Sequence, residues 1–397
     1  MIRNSVENIK RMNEYLEQKN YEDIDILDLM RFIAIKKGAK LPYNVSIQTL
    51  ENNITLKDHV LFILLDGFGY LKACSLPDTS ILKQNLKTSI DTVNPTSTAC
   101  VLTSLYTGKY PSEHGVFGWW QYSRKKNLNY YPLMGVGRKT EQDVSDIVRT
   151  ILPSESIFDT FKTKVNIYMN RSIIDSNYSQ IFSGKKANKY GTYSIREAFS
   201  KIDQKIIPRD HSFHYLYIDG LDKTSHKYGV DSPEVMEVIH EVERGIKNLV
   251  EKHEDLTIIL TADHGQVEMT NMIYLNQNQD YLKYFYAMPS IDTRTISFFV
   301  KEEYQEEFEN HFCEEFSEDI LLLKREEVEK NEIFGNTKFS EQAKDGLGEY
   351  IGFVFHNKFL LCDKVSLEDN IYTKGNHSGL TRNETKIPLI VIGGSHE

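Results

Sequence analysis

The sequence predicts an α/β fold, with a mostly parallel central sheet, helices on both faces and a small inserted α+β unit. Three observations carry this. Five short apolar runs end abruptly in a polar residue or glycine, as buried parallel strands do. They are "HVLFILLD" (59–66), "KVNIYMN" (164–170), "FHYLYID" (213–219), "LTIILTAD" (256–263) and "IPLIVIG" (387–393). Stretches of helical periodicity lie between them, and strands alternating with helices imply parallel pairing through crossovers. The chain has 397 residues, 40% of them hydrophobic, which is enough for one large core with an insertion.

The first 55 residues read as a helical segment packed on that core. "DILDLMRFIAIKKGAK" puts Leu27, Met30, Ile33 and Ala34 on one face, with Gly38 where a helix C-terminus is expected. Residues 56–270 and 366–397 form the expected α/β core. Within it Val235, Ile239, Val242, Ile246 and Val250 recur at helical spacing. Residues 271–365 read differently, as an inserted α+β cap. "TRTISFFVK" is a strand, "EEYQEEFENHFCEEF" an acidic helix with a solvated face, and "EYIGFVFHNKFLLCD" a pair of strands.

Charge and cysteine usage narrow the function classes. A net charge of −10 disfavours general nucleic-acid binding, because phosphate backbones reward basic surfaces. Cys74, Cys100, Cys313 and Cys362 form no CxxC pair, which argues against a thiolate zinc site and a disulfide scaffold. The polar N-terminus has no signal-like apolar region, and no apolar run is long enough to span a bilayer. A reduced, cytoplasmic setting without membrane contact is the expectation.

In open parallel sheets, functional groups collect beyond the carboxyl ends of the strands. Here Asp66 closes the first run, "DGLDKTSHKYG" offers Asp219, Asp222 and His226 after the third, and Asp263–His264 closes the fourth. His377 sits in "GNHSG", ten residues before the last run. Singly, each has an ordinary reading as a turn, cap or surface residue. Jointly, carboxylates and three imidazoles on one sheet edge would repel unless cations lie among them. Imidazole with carboxylate and no thiolate suits zinc, with manganese or iron as alternatives. The ligands exceed one tetrahedral site, which points to two metals. Such a centre activates a hydroxyl near Asp66. "NPTSTACVLTSLYTGKYPSEHG" (94–115) supplies Thr96, Ser97, Thr98 and Thr103. If a helix starts after Pro95, its first hydroxyl and amides face a phosphoryl group.

These motifs resemble the alkaline phosphatase superfamily, and within it the type I phosphodiesterase / nucleotide pyrophosphatase branch. "PTSTACVLTSLYTGKYPSEHG" is similar to the branch's nucleophile segment, "LLDGFG" to its first metal-aspartate motif, and "DKTSHKYG", "ADHG" and "NHSG" to the remaining three. The order agrees from about residue 57 to the C-terminus. The resemblance implies a three-layer α/β sandwich in which Thr98 is the nucleophile, forming a phosphothreonine. It implies one metal site of Asp222, His226 and His377, with Asp222 in place of Asp219. The second site is Asp66, Asp263 and His264, with Thr98 as fourth ligand. The substrate implied is a small phosphodiester or pyrophosphate, nucleotide-like in kind.

The departures from the pattern are specific. Animal members carry an Asn shortly after His-Gly that supports a non-bridging oxygen. "HGVFGWW" has Gly118 and Trp119 there, leaving the backbone amide of Thr98 or Ala99 as the substitute donor. No arginine lies near Thr98 in sequence, which favours a diester over a monoester, and the sulfatase signature is absent. "HGVFGWWQY" is similar to uncharacterised bacterial members. Trp119, Trp120, Tyr122, Tyr130 and Tyr131 either stack a flat leaving group or pack a loop onto the core. Lys125, Lys126 and Lys139 keep a phosphonoacetate-type hydrolase as an alternative, beside a phosphomonoesterase on the same scaffold, and a catalytically inactive binding or regulatory member is a third reading. His211 and His214 read as structural.

Overall fold

Seven strands form the central sheet of the computed structural model, which describes residues 10, 12–15, 24–43, 47–153, 155–277, 280–362 and 373–393. They are β1 (His59–Leu65), β2 (Leu86–Asp91), β3 (Lys164–Asn170), β4 (Asn188–Thr192), β5 (Ser212–Ile218), β6 (Leu256–Thr261) and β7 (Lys386–Ile392). Their order across the sheet is β2-β7-β6-β1-β5-β3-β4. β1 is buried at every position because it pairs in parallel with β5 on one side and β6 on the other. That double coverage explains its unbroken apolar run. Only β7 runs against its neighbours, pairing antiparallel with both β6 and β2.

The edge strands β2 and β4 are missing from the sequence reading. Their residues are largely half-buried or exposed, so neither presents a continuous apolar run. Helices cover both faces of the sheet. Among them Pro233–Val250 buries Val235, Ile239, Val242 and Ile246 at the expected spacing. The helix Ile26–Lys36 buries Leu27, Met30, Ile33 and Ala34, and Gly38 follows it at φ +90°. The remainder of the expected N-terminal helical segment lies partly outside the described residues.

One apolar core runs from Ile24 to Ala262 and resumes at Ile387–Ile392, and a second holds residues between Leu275 and Cys362. The second core belongs to a four-stranded antiparallel sheet ordered Phe285–Ile291, Thr295–Val300, Tyr350–Val354 and Ile320–Lys324. Phe308, Phe312 and Phe316 of the acidic helix Gln305–Phe316 are buried in it. Two expectations need correction here. The strand Ile320–Lys324 is an addition to the expected elements. The two strands of "EYIGFVFHNKFLLCD" belong to different sheets, since Lys358–Leu361 pairs in parallel with Asn271–Tyr274. A third apolar cluster, including Phe117, Ile291, Leu321, Phe334 and Leu380, joins the second sheet to the segment after residue 115.

Candidate metal centre

The topology brings the polar strand ends together. Asp66 directly follows β1, and Asp263 and His264 follow β6. The helix α2 (Gly220–Tyr228), which starts just after β5, presents Asp222 and His226 one turn apart. Because β1, β5 and β6 are adjacent and parallel, these groups share one edge. β7 runs the opposite way, so the loop leading into it delivers His377 to that same edge. β2 ends there too, and the helix α1 (Thr98–Thr107) begins a few residues later.

Two groups of ligand atoms result. Asp222, His226 and His377 form one, and Asp66, Asp263 and His264 the other, with ligand atoms in each lying within 4.8 Å of one another. The rings of His264 and His377 stack at a centroid distance of 3.7 Å, so the two groups adjoin. Asp219 is in neither, since it pairs with Lys223 on the surface of α2. The histidine tautomers suit ligation. Each Nδ1 faces a backbone carbonyl, which only accepts: Gly265 O at 3.1 Å from His264, Gly375 O at 2.7 Å from His226, and Thr96 O at 2.8 Å from His377. Each Nδ1 therefore donates to its carbonyl, which leaves Nε2 as the atom turned toward the site. These Nε2 atoms face carboxylates. His264 Nε2 lies 3.5 Å from Asp66 Oδ1 and 3.4 Å from Asp263 Oδ2, and His226 Nε2 lies 3.4 Å from Asp222 Oδ1.

The carboxylates supply the test of fit. Asp66 accepts a hydrogen bond from the Tyr217 hydroxyl on Oδ2, and Asp263 accepts from the Gly67 and His264 amides on Oδ1 at 3.1 and 3.0 Å. Their other oxygens, Asp66 Oδ1 and Asp263 Oδ2, are buried with no hydrogen-bond partner. Buried carboxylate oxygens are costly to leave unpaired, and these two face His264 Nε2, so a divalent cation fits the donor set. Burial, with Asp263 and Asp222 nearby, pushes the Asp66 carboxyl well above its usual range. For Asp222 burial acts in the same direction, but His226 and His377 outweigh it and hold the carboxyl below the usual range. Gln266 Nε2 also donates to its Oδ1. Gly67, at φ +78°, allows the chain to turn here, and a Cβ would come 3.0 Å from Gln266 Nε2.

The hydroxyl-rich segment separates into distinct roles. Thr98 is the first residue of α1, and its Oγ1 lies 3.2 Å from His264 Nε2, beside the Asp66–Asp263 group. Thr96 orients the neighbouring loop, since its Oγ1 donates to Gly379 O at 2.9 Å while its carbonyl holds His377. Thr103 donates to Ala99 O within the helix at 2.7 Å. Ser97 donates to Asp292 Oδ2 at 2.9 Å. His114 of the "SEHG" motif lies beneath the helix, with its Nε2 2.8 Å from Ser104 Oγ, and is structural.

Residues 60–285 match the family described as type I phosphodiesterase / nucleotide pyrophosphatase. The chain belongs to this family. Ectonucleotide pyrophosphatase/phosphodiesterase family member 7 of Rattus norvegicus is 24% identical over 254 residues, covering 60% of this chain and 55% of that protein. Venom phosphodiesterase 2 of Crotalus adamanteus is 25% identical over 257 residues, which cover 60% of this chain but 31% of that protein. The match thus spans about half the length of these relatives, or less. Among solved structures, murine ectonucleotide pyrophosphatase/phosphodiesterase 5 superposes with a TM-score of 0.62 at 16% identity, covering 83% of this chain and 87% of that chain. An inactive form of the same mouse protein in complex with AMP superposes equally well, and both show the alkaline-phosphatase-like fold.

Relative to the sequence expectation for a member of this family, the structure corrects part of the aromatic cluster. Trp120 and Tyr122 are each only 6% exposed. The Trp120 indole donates to Pro289 O at 3.1 Å and stacks under Arg138, and Tyr122 packs edge-on against Phe299 at 4.9 Å. Both rings therefore join the second sheet to the core and do not present a face for stacking. Tyr130 is fully buried as well. Trp119 differs, being 40% exposed with its ring edge-on to Tyr131. His211 and His214 are structural, as expected. His214 sits in a buried chain with Ser212 and Tyr168, and His211 pairs with Asp58 at the surface.

Sequence reading missed the turn 291–295, "IDTRT", because nothing in it resembles a motif. Besides Asp292–Ser97, Thr293 Oγ1 accepts from Asn376 at 3.0 Å, and the Arg294 amide donates to Ser378 Oγ at 3.1 Å. The fully buried Arg294 guanidinium pairs with Glu384 at 2.7 and 3.0 Å, and Glu384 in turn accepts from the Gly379 amide. One turn of the second sheet thus braces both the segment before Thr98 and the loop that carries His377. Tyr217 and Gln266 were missed for the same reason: each is legible only from what it touches.

Proposed function

We propose that this chain is a two-metal hydrolase of phosphodiester or pyrophosphate bonds in a small, nucleotide-like substrate, acting through a phosphothreonine at Thr98. The observation that carries this reading is the meeting of Asp66 Oδ1, Asp263 Oδ2 and His264 Nε2 beside the Thr98 hydroxyl. Asp66, Asp263 and His264, with Thr98, would hold one ion, and Asp222, His226 and His377 the other. Zinc suits this donor set, with manganese or iron as alternatives. Ions bound there supply Lewis acidity, lowering the pKa of the Thr98 hydroxyl and offsetting phosphoryl charge.

The chain's own groups do the rest. Thr98 gives up its proton to solvent, and its oxygen attacks phosphorus in line. The bond to the leaving oxygen breaks, that oxygen takes a proton from solvent, and the phosphoryl group, still carrying its other ester, is held on Thr98 as a phosphothreonine. Water then attacks the same phosphorus, freeing a phosphate monoester such as a nucleoside monophosphate and restoring the hydroxyl. The free amides at the start of α1 face a non-bridging oxygen in place of the missing Asn. The AMP complex of the mouse relative supports a nucleotide-like part that stays on the phosphorus, and Trp119 offers an accessible ring for it. Residues 271–365 act in this reading as an inserted unit whose turn 291–295 completes the site. Four free cysteines are consistent with the reducing, cytoplasmic setting that belongs to the proposal, and among the described residues no helix is long and apolar enough to cross a membrane.

The test is to count bound metal and compare bis-p-nitrophenyl phosphate, p-nitrophenyl phosphate and phosphonoacetate, with wild type and Thr98→Ala. The expected result is metal at both sites, preference for the diester, and a loss of at least about a thousandfold on Thr98→Ala. Absence of metal, or full activity in Thr98→Ala, sinks the mechanism. Preference for the monoester or for phosphonoacetate replaces the substrate class.

A further inference from the structure

We propose that Asp292 is a positioning residue for the reaction: by engaging the Ser97 hydroxyl it stops Ser97 from capping its own helix, and so keeps the first amides of α1 open for a phosphoryl oxygen. This rests on the proposed phosphoryl-transfer function and adds a device to it.

A serine at the N-cap ordinarily accepts a hydrogen bond from the amide two or three residues on. Ser97 holds the N-cap of α1 in extended backbone (φ −120°, ψ 135°) but makes no such bond, and its hydroxyl donates instead to Asp292 Oδ2 at 2.9 Å. Among the described residues, no acceptor reaches the amides of Thr98, Ala99 or Cys100. Asp292 is itself buried, and its Oδ1 is fixed by the Thr293 amide at 2.8 Å. The backbone that delivers it is strained. Ile291, a β-branched residue, sits at φ +89°, where such side chains are rarely found. Two bonds with Trp120 hold it there, Ile291 N to Trp120 O at 2.9 Å and Trp120 N to Ile291 O at 3.3 Å. Gly118 lies so close that a Cβ would meet Ile291 O at 2.3 Å. The strained residue directly precedes the carboxylate that engages Ser97, the neighbour of Thr98, and strain of this kind clusters at functional sites.

The experiment uses the full-length, metal-loaded protein. Asp292→Ala lets Ser97 turn back onto the Cys100 amide, and the self-cap must then break whenever substrate binds. We expect kcat/KM for bis-p-nitrophenyl phosphate to fall about tenfold, within the range of an N-cap bond, and inorganic phosphate to inhibit correspondingly less well. Hydrogen exchange at Ala99 and Cys100 should slow. In Ser97→Ala/Asp292→Ala no self-cap can form, so activity and phosphate inhibition should recover relative to Asp292→Ala alone. Asp292→Asn keeps an acceptor for Ser97, so it should lose less than Asp292→Ala and serves if the alanine variant does not fold. A double variant no better than Asp292→Ala, or an asparagine variant as impaired as the alanine one, overturns the proposal. An inactive wild type overturns the function itself. Amide exchange then still reports whether Asp292 controls the cap.

Discussion

Arg294→Met tests the claim that the second sheet braces the site. Both Arg294 and Glu384 have fully buried side chains, so solvent screening does not weaken their interaction. The substitution removes donors at 2.7 and 3.0 Å from the Glu384 carboxylate and also strips the carbonyls of His356 and Lys358 of a partner. Breaking a buried pair from one side costs about 3–5 kcal/mol, because the remaining charge is left uncompensated. Glu384 keeps the Gly379 and Thr381 amides at 2.8 and 3.2 Å, which places the expected loss toward the lower end, about 3 kcal/mol. The assay is urea unfolding followed by tryptophan fluorescence. Trp120 is a suitable probe because it is bonded to Ile291, in the same turn as Arg294. Glu384→Gln and the double variant complete a cycle, with an expected coupling of about 2 kcal/mol. There is also a pH signature. Burial alone would raise the Glu384 carboxyl, but Arg294 holds it below its ordinary range. Its stabilisation is therefore present above the unfolded carboxylate pKa and lost as pH falls through the folded value. A loss under about 1 kcal/mol, or coupling near zero, would refute the bracing argument.

Two further predictions can be checked with simple assays. Tyr217→Phe deletes the hydroxyl that donates to Asp66, so metal affinity should fall about 10–100-fold while the fold is retained, as read by titration with a competing chelator. His114 and His214 are buried neutral, with burial pulling both down to about 3. The unfolded chain takes up protons below about pH 6.5 while these groups in the folded state do not, so each should remove about 2 kcal/mol of stability between pH 7.5 and pH 5. Comparing wild type with His214→Gln at both pH values isolates one of them, and equal pH slopes in the two proteins would contradict this.

Much of the centre is legible in the sequence. β1, β3, β5, β6 and β7 appear as apolar runs because central strands are covered on both faces, and every side chain must then be apolar. Asp66, Asp222, His226, Asp263, His264 and His377 stand out because charge at the end of such a run needs a reason. β2 and β4 are not legible, since edge strands tolerate polar residues and lose the signal. Trp120 and Tyr122 mislead because an aromatic ring has the same letter whether it packs or binds. The turn 291–295 is invisible for a deeper reason. Asp292 lies 195 residues from Ser97 and Arg294 lies 90 from Glu384, and neither pair follows a local period.

The sequence by itself determined the five inner strands of the sheet, the edge at which its polar residues gather, and the residue types available there. These follow from local rules: burial selects apolar strands, parallel strands end on one side, and helical spacing puts Asp222 and His226 on one face. The resemblance implied the division into two groups and the choice of Thr98; only the tertiary structure decided which nitrogen of each histidine faces the site and what holds the hydroxyls of Thr96 and Ser97 away from it. Those choices depend on partners far away in the chain, such as the carbonyls of Gly375 and Thr96 and the carboxylate of Asp292. Hydrogen bonds are short-ranged and directional, so their outcome is fixed only once packing has brought both ends together.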